Sequence, residues 1–179
     1  MRIAVTIIIF IIFTSCKSYI DMQNSSEIID YKTLKFHPFP NYNLLESRRT
    51  IFATADSQIY FPQLFDVRIP KKIKTWAYLG NVLYIEYDQK QIIAIDTDYL
   101  NNDKQAGSWS LVEDEDLIKR YRQDYFTRND RNFDYDISIP LHTTTFLYSD
   151  GKTKILFYNI KNENFIDFAK VRDTYKYVN

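Results

Sequence analysis

KTWAYLGNVLYIEYDQKQIIAID, Lys74 to Asp96, is the stretch whose reading decides the fold. Lys74–Leu79 is followed by a Gly80-Asn81 turn, Val82–Asp88 by a Gln89-Lys90 turn, and Gln91–Asp96 closes the run. In the middle segment Leu83, Ile85 and Tyr87 alternate with Tyr84, Glu86 and Asp88. Side chains of a strand point to opposite faces at successive residues, so the first set reads as a core face and the second as a solvated face. Three such segments joined by short turns predict an antiparallel meander.

Working outward, the flanks carry the same signal. Thr50–Thr54 and Gln58–Phe61 bracket Ala55-Asp56-Ser57 as a hairpin, and Asp66–Ile69 reads as a further short strand before Pro70. Tyr31–Asn43 alternates at Leu34 and Phe36 until Pro38 and Pro40 stop it. Downstream, Thr143–Tyr148, a Ser149-Asp150-Gly151-Lys152 turn and Thr153–Ile160 predict a second hairpin.

Two helices are expected. Residues 113–128 place Leu117, Tyr121 and Tyr125 at i, i+4 and i+8 with Ile118 and Phe126 beside them, behind acids at 113–116 that suit a helix N-terminus. Residues 162–173, with Asn162 as N-cap, line up Phe165, Phe168, Ala169 and Arg172. Tyr175, Tyr177 and Val178 either extend that helix or cross back as an edge strand. Loops are expected at 98–112 and 129–136. The fold class is therefore α+β: an antiparallel, meander-rich sheet with two helices packed on one face.

The N-terminus has a different character. MRIAVTIIIFIIFTSC, residues 1–16, has a basic start at Arg2, an apolar run from Ile3 to Phe13 broken only by Thr6, and small residues before Cys16. A basic start, roughly 7–15 apolar residues and a small-residue exit form the pattern of a secretory signal peptide, and the run is short of the ~20 residues that span a bilayer. Phe13-Thr14-Ser15-Cys16 resembles the lipobox of a bacterial lipoprotein precursor, with Phe13 in place of the usual leucine. The resemblance implies cleavage after residue 15, acylation of Cys16 and attachment to a membrane of the cell envelope, on its periplasmic or surface face. The competing account is an ordinary signal peptide, or a membrane-anchoring helix, with Cys16 incidental, yet Cys16 is the only cysteine of the chain. The expected organisation is a signal peptide at 1–15, a polar, flexible tether at 16–30 and one globular domain at 31–179. Such a tether would reach roughly 20 Å.

Composition excludes several classes. The chain carries 23 basic and 23 acidic side chains, and loses only Arg2 with the signal, so no basic domain suited to nucleic acid is present. A single cysteine excludes a disulfide framework. Fifteen Tyr and 13 Phe beside three scattered Gly leave no glycine-rich phosphate cradle. The aromatics suit a strand-rich core better than a stacking platform.

Candidate chemistry is thin. His37 and His142 lack a recognisable nucleophile motif. Asp96-Thr97-Asp98 and the series Asp130, Asn132, Asp134, Asp136 space oxygens like calcium loops, but Asn101 and Tyr135 stand where the motif needs glycine, and Gly107 and Leu141 where it needs glutamate. No metal, cofactor or catalytic residue is assigned. Lys71-Lys72-Lys74 and Lys119-Arg120-Arg122 could meet anionic lipid head groups or an acidic partner, though exposed turn and helix charges are the commoner explanation. Three functions fit: a lipid-anchored envelope binding or accessory protein without enzymatic activity, which is favoured; an immunity-type protein neutralising a toxin delivered to the envelope; and a small envelope hydrolase using a histidine and a carboxylate. The partners implied are the membrane, through the acyl groups on Cys16, and a protein; nucleic acid is not among them.

Overall fold

The meander forms one half of a six-stranded sheet in a computed structural model that describes residues 29–30, 34–52, 60–97, 106–129 and 143–178. Its strands are β5 (Thr75–Leu79), β6 (Val82–Glu86) and β7 (Ile92–Thr97), with Leu83 opposite both Tyr78 and Ile95. The second predicted hairpin supplies β9 (Thr143–Ser149) and β10 (Thr153–Lys161), and β10 inserts beside β7. With β8 (Ser110–Leu111) at the edge, the order is β5-β6-β7-β10-β9-β8, antiparallel throughout.

The remaining strands build a second antiparallel sheet, in the order β1-β2-β3-β4-β11. These are β1 (Ile29–Asp30), β2 (Leu34–Pro38), β3 (Asn43–Phe52), β4 (Tyr60–Ile69) and β11 (Lys176–Tyr177). Of the short strands expected at 50–54, 58–61 and 66–69, residues 50–52, 60–61 and 66–69 belong to two ten-residue strands in one hairpin, and residues 53–59 lie outside the described residues. Pro62 does not break β4 because β11 pairs only with Phe65 and Asp66, so on that side Pro62 has no strand neighbour needing its missing N–H. The chain end crosses back as the edge strand β11, with Val178 N donating to Leu64 O at 3.0 Å.

The two sheets face each other. Leu34, Phe36, Leu45, Phe65, Val67 and Ile69 from one meet Leu83, Ile85, Ile93, Ile95, Ile155 and Phe157 from the other, all 1% exposed or less. At ~25 cal/mol per Å² of apolar surface, each such side chain contributes about 1.5–3 kcal/mol. Helix α1 (Glu115–Asn129) covers the opposite face of the six-stranded sheet and makes a second core of Tyr84, Ala94, Leu147, Leu156 and Tyr158 with Leu117, Tyr121, Tyr125 and Phe126. Asp114 caps it, accepting from Leu117 N at 2.8 Å.

The α+β class, the meander and the α1 stripe are as the sequence predicts. Two details differ. The helices lie in separate cores rather than on one face: α2 (Phe165–Thr174) puts Phe168 and Val171, with Tyr175 just beyond, into the first core beside β4. The helix follows β10 through a single 3-10 turn at Asn162–Asn164, so it drops beside the sheets where β10 ends; its N-cap is Asn164 rather than Asn162, without a side-chain cap bond. Val171 takes the core position expected of Arg172, whose guanidinium instead stacks 4.6 Å from the Tyr148 ring. The second difference is the supposed solvated face of β6: Tyr84 and Glu86 are 1% and 5% exposed, because α1 lies over them.

Glu86 is made tolerable there by two donors, Lys74 Nζ at 2.7 Å and the Tyr125 hydroxyl at 2.6 Å. One turn earlier on α1, Tyr121 donates to Asp96. At the far end of β10, Asp150 accepts from Lys152 N and Thr153 N at 2.9 and 2.6 Å, fixing the turn in which Gly151 sits at φ +91°. Thr153, Thr97, Tyr175 and Tyr177 join hydroxyls behind it, tying the two sheets together.

Candidate functional site

At the other end of β10, nine residues and roughly 30 Å away, four connections converge. They are the Phe39–Tyr42 turn between β2 and β3, the Pro70–Lys74 link, the Asp88–Lys90 3-10 turn and the start of α2. Between them lie two cavities of about 410 and 680 Å³ that share Asn41, Pro70, Lys71 and Asp167 and so form one open cleft. Its lining carries five cations (Arg68, Lys71, Lys72, Lys161 and Lys170) against two carboxylates, Asp88 and Asp167, in a chain whose overall charge balances.

The walls are held by buried amides. Gln91, 5% exposed, donates to Asp88 O at 3.1 Å, while its Oε1 accepts from Lys161 N and Asn164 Nδ2 at 3.1 and 3.0 Å. One side chain therefore clasps the 3-10 turn, the end of β10 and the approach to α2. Asn159 sits in a β-bulge of β10 and donates to Gln89 O and Lys90 O at 3.0 and 3.3 Å. The Tyr87 hydroxyl donates to Pro70 O at 3.2 Å, its ring 4.9 Å from Phe168; burial pushes its pKa well up. We predict that Gln91→Ala costs about 2–3 kcal/mol in urea unfolding and speeds hydrogen exchange in the 3-10 turn; exchange unchanged there would mean the clasp is dispensable.

This end is also where local rules are broken. Lys72, Gln89, Lys90 and Asn159 all adopt positive φ, between 55° and 66°. Such backbone costs a non-glycine residue of order 1–3 kcal/mol and collects at ligand clamps and switch regions. Asn43, wholly buried at the start of β3, has neither side-chain amide atom hydrogen-bonded among the described residues, and Asn159 Oδ1 is likewise unpaired. A fold built only for stability would not gather these costs in one place.

An aromatic shelf borders the cleft. Phe39, 40% exposed, stacks on Tyr42 at 4.8 Å, and the Arg68 guanidinium lies 4.8 Å from the Tyr42 ring. Lys170 is held by Asp167 at 2.6 Å, and Lys161 lies 3.6 Å from Glu163. Lys71 and Lys72 make no ion pair among the described residues, and the positive φ of Lys72 sets the direction of this basic step.

The sequence candidates divide accordingly. Of Lys71-Lys72-Lys74, the first two line the cleft and Lys74 turns away to Glu86. Lys119 and Arg120 are exposed on α1. His37 lies outside the cleft, in a charge ladder on the outer face of the five-stranded sheet: Nε2 is 3.0 Å from Glu46 without hydrogen-bond alignment, Arg48 is 3.4 Å from Glu46, and Arg48 reaches Asp66 at 2.9 Å. Asp96 and Thr97 are engaged by Tyr121 and Tyr175. No group of three metal-ligating side chains occurs among the described residues. Cys16, His142, Asp98, Asp130, Asn132, Asp134 and Asp136 lie outside the described residues. The cleft escapes sequence reading because Asn41, Lys71, Gln91 and Asn164 come from four separate connections; the only local signal is the Pro70-Lys71-Lys72 step. Compared with known protein families, curated proteins and solved structures, the chain matches none.

Proposed function

We propose that this chain is a lipid-anchored binding or accessory protein of the cell envelope, without enzymatic activity, which grips its partner through the cleft. The observation that carries this reading is the clustering of strained backbone, unpaired buried amides and cations at one end of the domain. The groups facing the cleft are chiefly ammonium and amide donors, suited to holding an electron-rich ligand. Supporting the anchor are the lipobox-like Phe13-Thr14-Ser15-Cys16 and the apolar run before it. No described helix is long and apolar enough to cross a membrane, and acyl chains on Cys16 would supply the attachment instead.

The anchor is tested by Cys16→Ala in cells fed a fatty-acid probe. The wild-type chain is expected to take up the label and to sediment with membranes, and the variant to do neither. Label persisting on the variant would end the lipoprotein reading.

A further inference from the structure

We propose that the cleft end of the domain docks on the anionic head groups of the bilayer that carries the Cys16 acyl chains, Lys71 and Lys72 meeting phosphates while Phe39 and Ile166 enter the interface. This rests on the anchored-binding reading and names its ligand. Three independent features of the structure agree on it.

The first is where the chain joins the domain. Ile29 pairs with Phe36 and Asp30 with Lys35, antiparallel, so β1 begins near the Pro38 end of β2, beside the Phe39–Tyr42 turn. Residues 17–28 lie between Cys16 and β1, and at ~3.3–3.6 Å per residue they keep β1 within roughly 40 Å of the acyl chains. β1 thus begins at the cleft end of the domain, within reach of a bilayer facing that end; the Gly80-Asn81 and Asp150-Gly151 turns are at the other end.

The second is charge. Five cations line this end, and two of them, Lys71 and Lys72, are without ion pairs among the described residues. Lysine ammoniums on mobile stems suit a fluid array of phosphates, where no fixed ligand geometry has to be matched.

The third is exposed apolar surface. Of the three large hydrophobic side chains exposed among the described residues, Phe39 (40%) and Ile166 (74%) are at this end. Ile166 lies one helical turn before Lys170, so an apolar side chain and a cation share a face of α2. Basic residues interleaved with exposed Phe and Ile are the composition of a surface that seats in the head-group layer. A soluble acidic saccharide would satisfy the lysines and could stack on Phe39, but would leave Ile166 and the position of β1 unexplained.

The test uses the full lipidated chain reconstituted into vesicles of phosphatidylcholine, alone or mixed with phosphatidylglycerol. An environment-sensitive dye is placed on Asn41→Cys at the cleft, or on Asn81→Cys at the far end. The Asn41 dye should shift to the blue and become several-fold less accessible to an aqueous quencher only in the phosphatidylglycerol vesicles, and raising salt to about 0.5 M should reverse this. The Asn81 dye should not change. Lys71→Gln combined with Lys72→Asn, asparagine being tolerant of the positive φ, should lower the docked-to-free ratio roughly 10- to 30-fold with an unaltered far-UV spectrum.

Equal quenching of the Asn41 dye in both vesicle types would overturn the docking proposal. So would protection of that dye by soluble polygalacturonate but not by phosphatidylglycerol. Mass analysis of the same samples separates the two levels: acylated Cys16 without docking removes only this inference, whereas an unmodified Cys16 removes the anchored reading beneath it.

Discussion

Raising the pH above about 10 should unfold this protein cooperatively, with Tyr87, Tyr121 and Tyr125 ionising late and together. Tyr87, Tyr121 and Tyr125 are each 3% exposed or less, and burial is the main force holding all three pKa values above the ordinary phenol value. Next to burial, Asp96 opposes ionisation of Tyr121 and Glu86 that of Tyr125. The folded chain therefore keeps three protons that the unfolded chain releases near pH 10. A pKa raised by folding adds stability that is whole below the unfolded value and fades as pH climbs past it. Each proton contributes about 1.4 kcal/mol per pH unit, so the three together remove roughly 4 kcal/mol for every unit climbed above the unfolded value while the folded chain keeps all three. That loss rivals the whole stability of an ordinary domain, about 5–15 kcal/mol. Phenolate absorbance and far-UV circular dichroism should change in one shared transition above pH 11. Titration of Tyr87, Tyr121 and Tyr125 near pH 10 with the fold intact would contradict the assignment.

Tyr125→Ala should be the most damaging single substitution in the second core, costing about 4–6 kcal/mol. The ring is 1% exposed, lies 5.0 Å from Tyr84 and 5.3 Å from Phe126, and its hydroxyl donates to buried Glu86 at 2.6 Å. Truncation to alanine opens a cavity worth about 3–5 kcal/mol and leaves the carboxylate with Lys74 as its remaining side-chain donor among the hydrogen bonds described for it. Tyr125→Phe separates the parts: it keeps the packing and should cost about 1.5–3 kcal/mol. Urea unfolding of the two variants measures both. A phenylalanine variant as stable as wild type would show that Lys74 alone satisfies Glu86.

Tyr121 and Tyr125 also show where sequence reading stops. Leu117, Tyr121 and Tyr125 announce their shared face through a local period, and all three are buried as that period requires. What they are buried against is not a local property. Alternation along Val82–Asp88 assigns Tyr84 and Glu86 to one face, but whether that face meets water or α1 depends on residues more than 25 positions away. Glu86 looks like a surface residue until Lys74 and Tyr125 are brought to it.

By itself, then, the sequence determined the α+β class, the meander, the second hairpin and the α1 stripe, because each depends on spacing within a dozen or so residues. The stretch at residues 1–16 that resembles a lipoprotein signal is legible in the same way, as a contiguous pattern of charge, apolarity and small side chains. Tertiary structure alone decided that there are two sheets, that the helices occupy different cores, and that Asn41, Lys71, Gln91 and Asn164 meet in one cleft. The reason is physical: strand and helix periods are set by the nearest covalent neighbours, whereas a cleft is made where separate connections end side by side, and only packing of the sheets places those ends together.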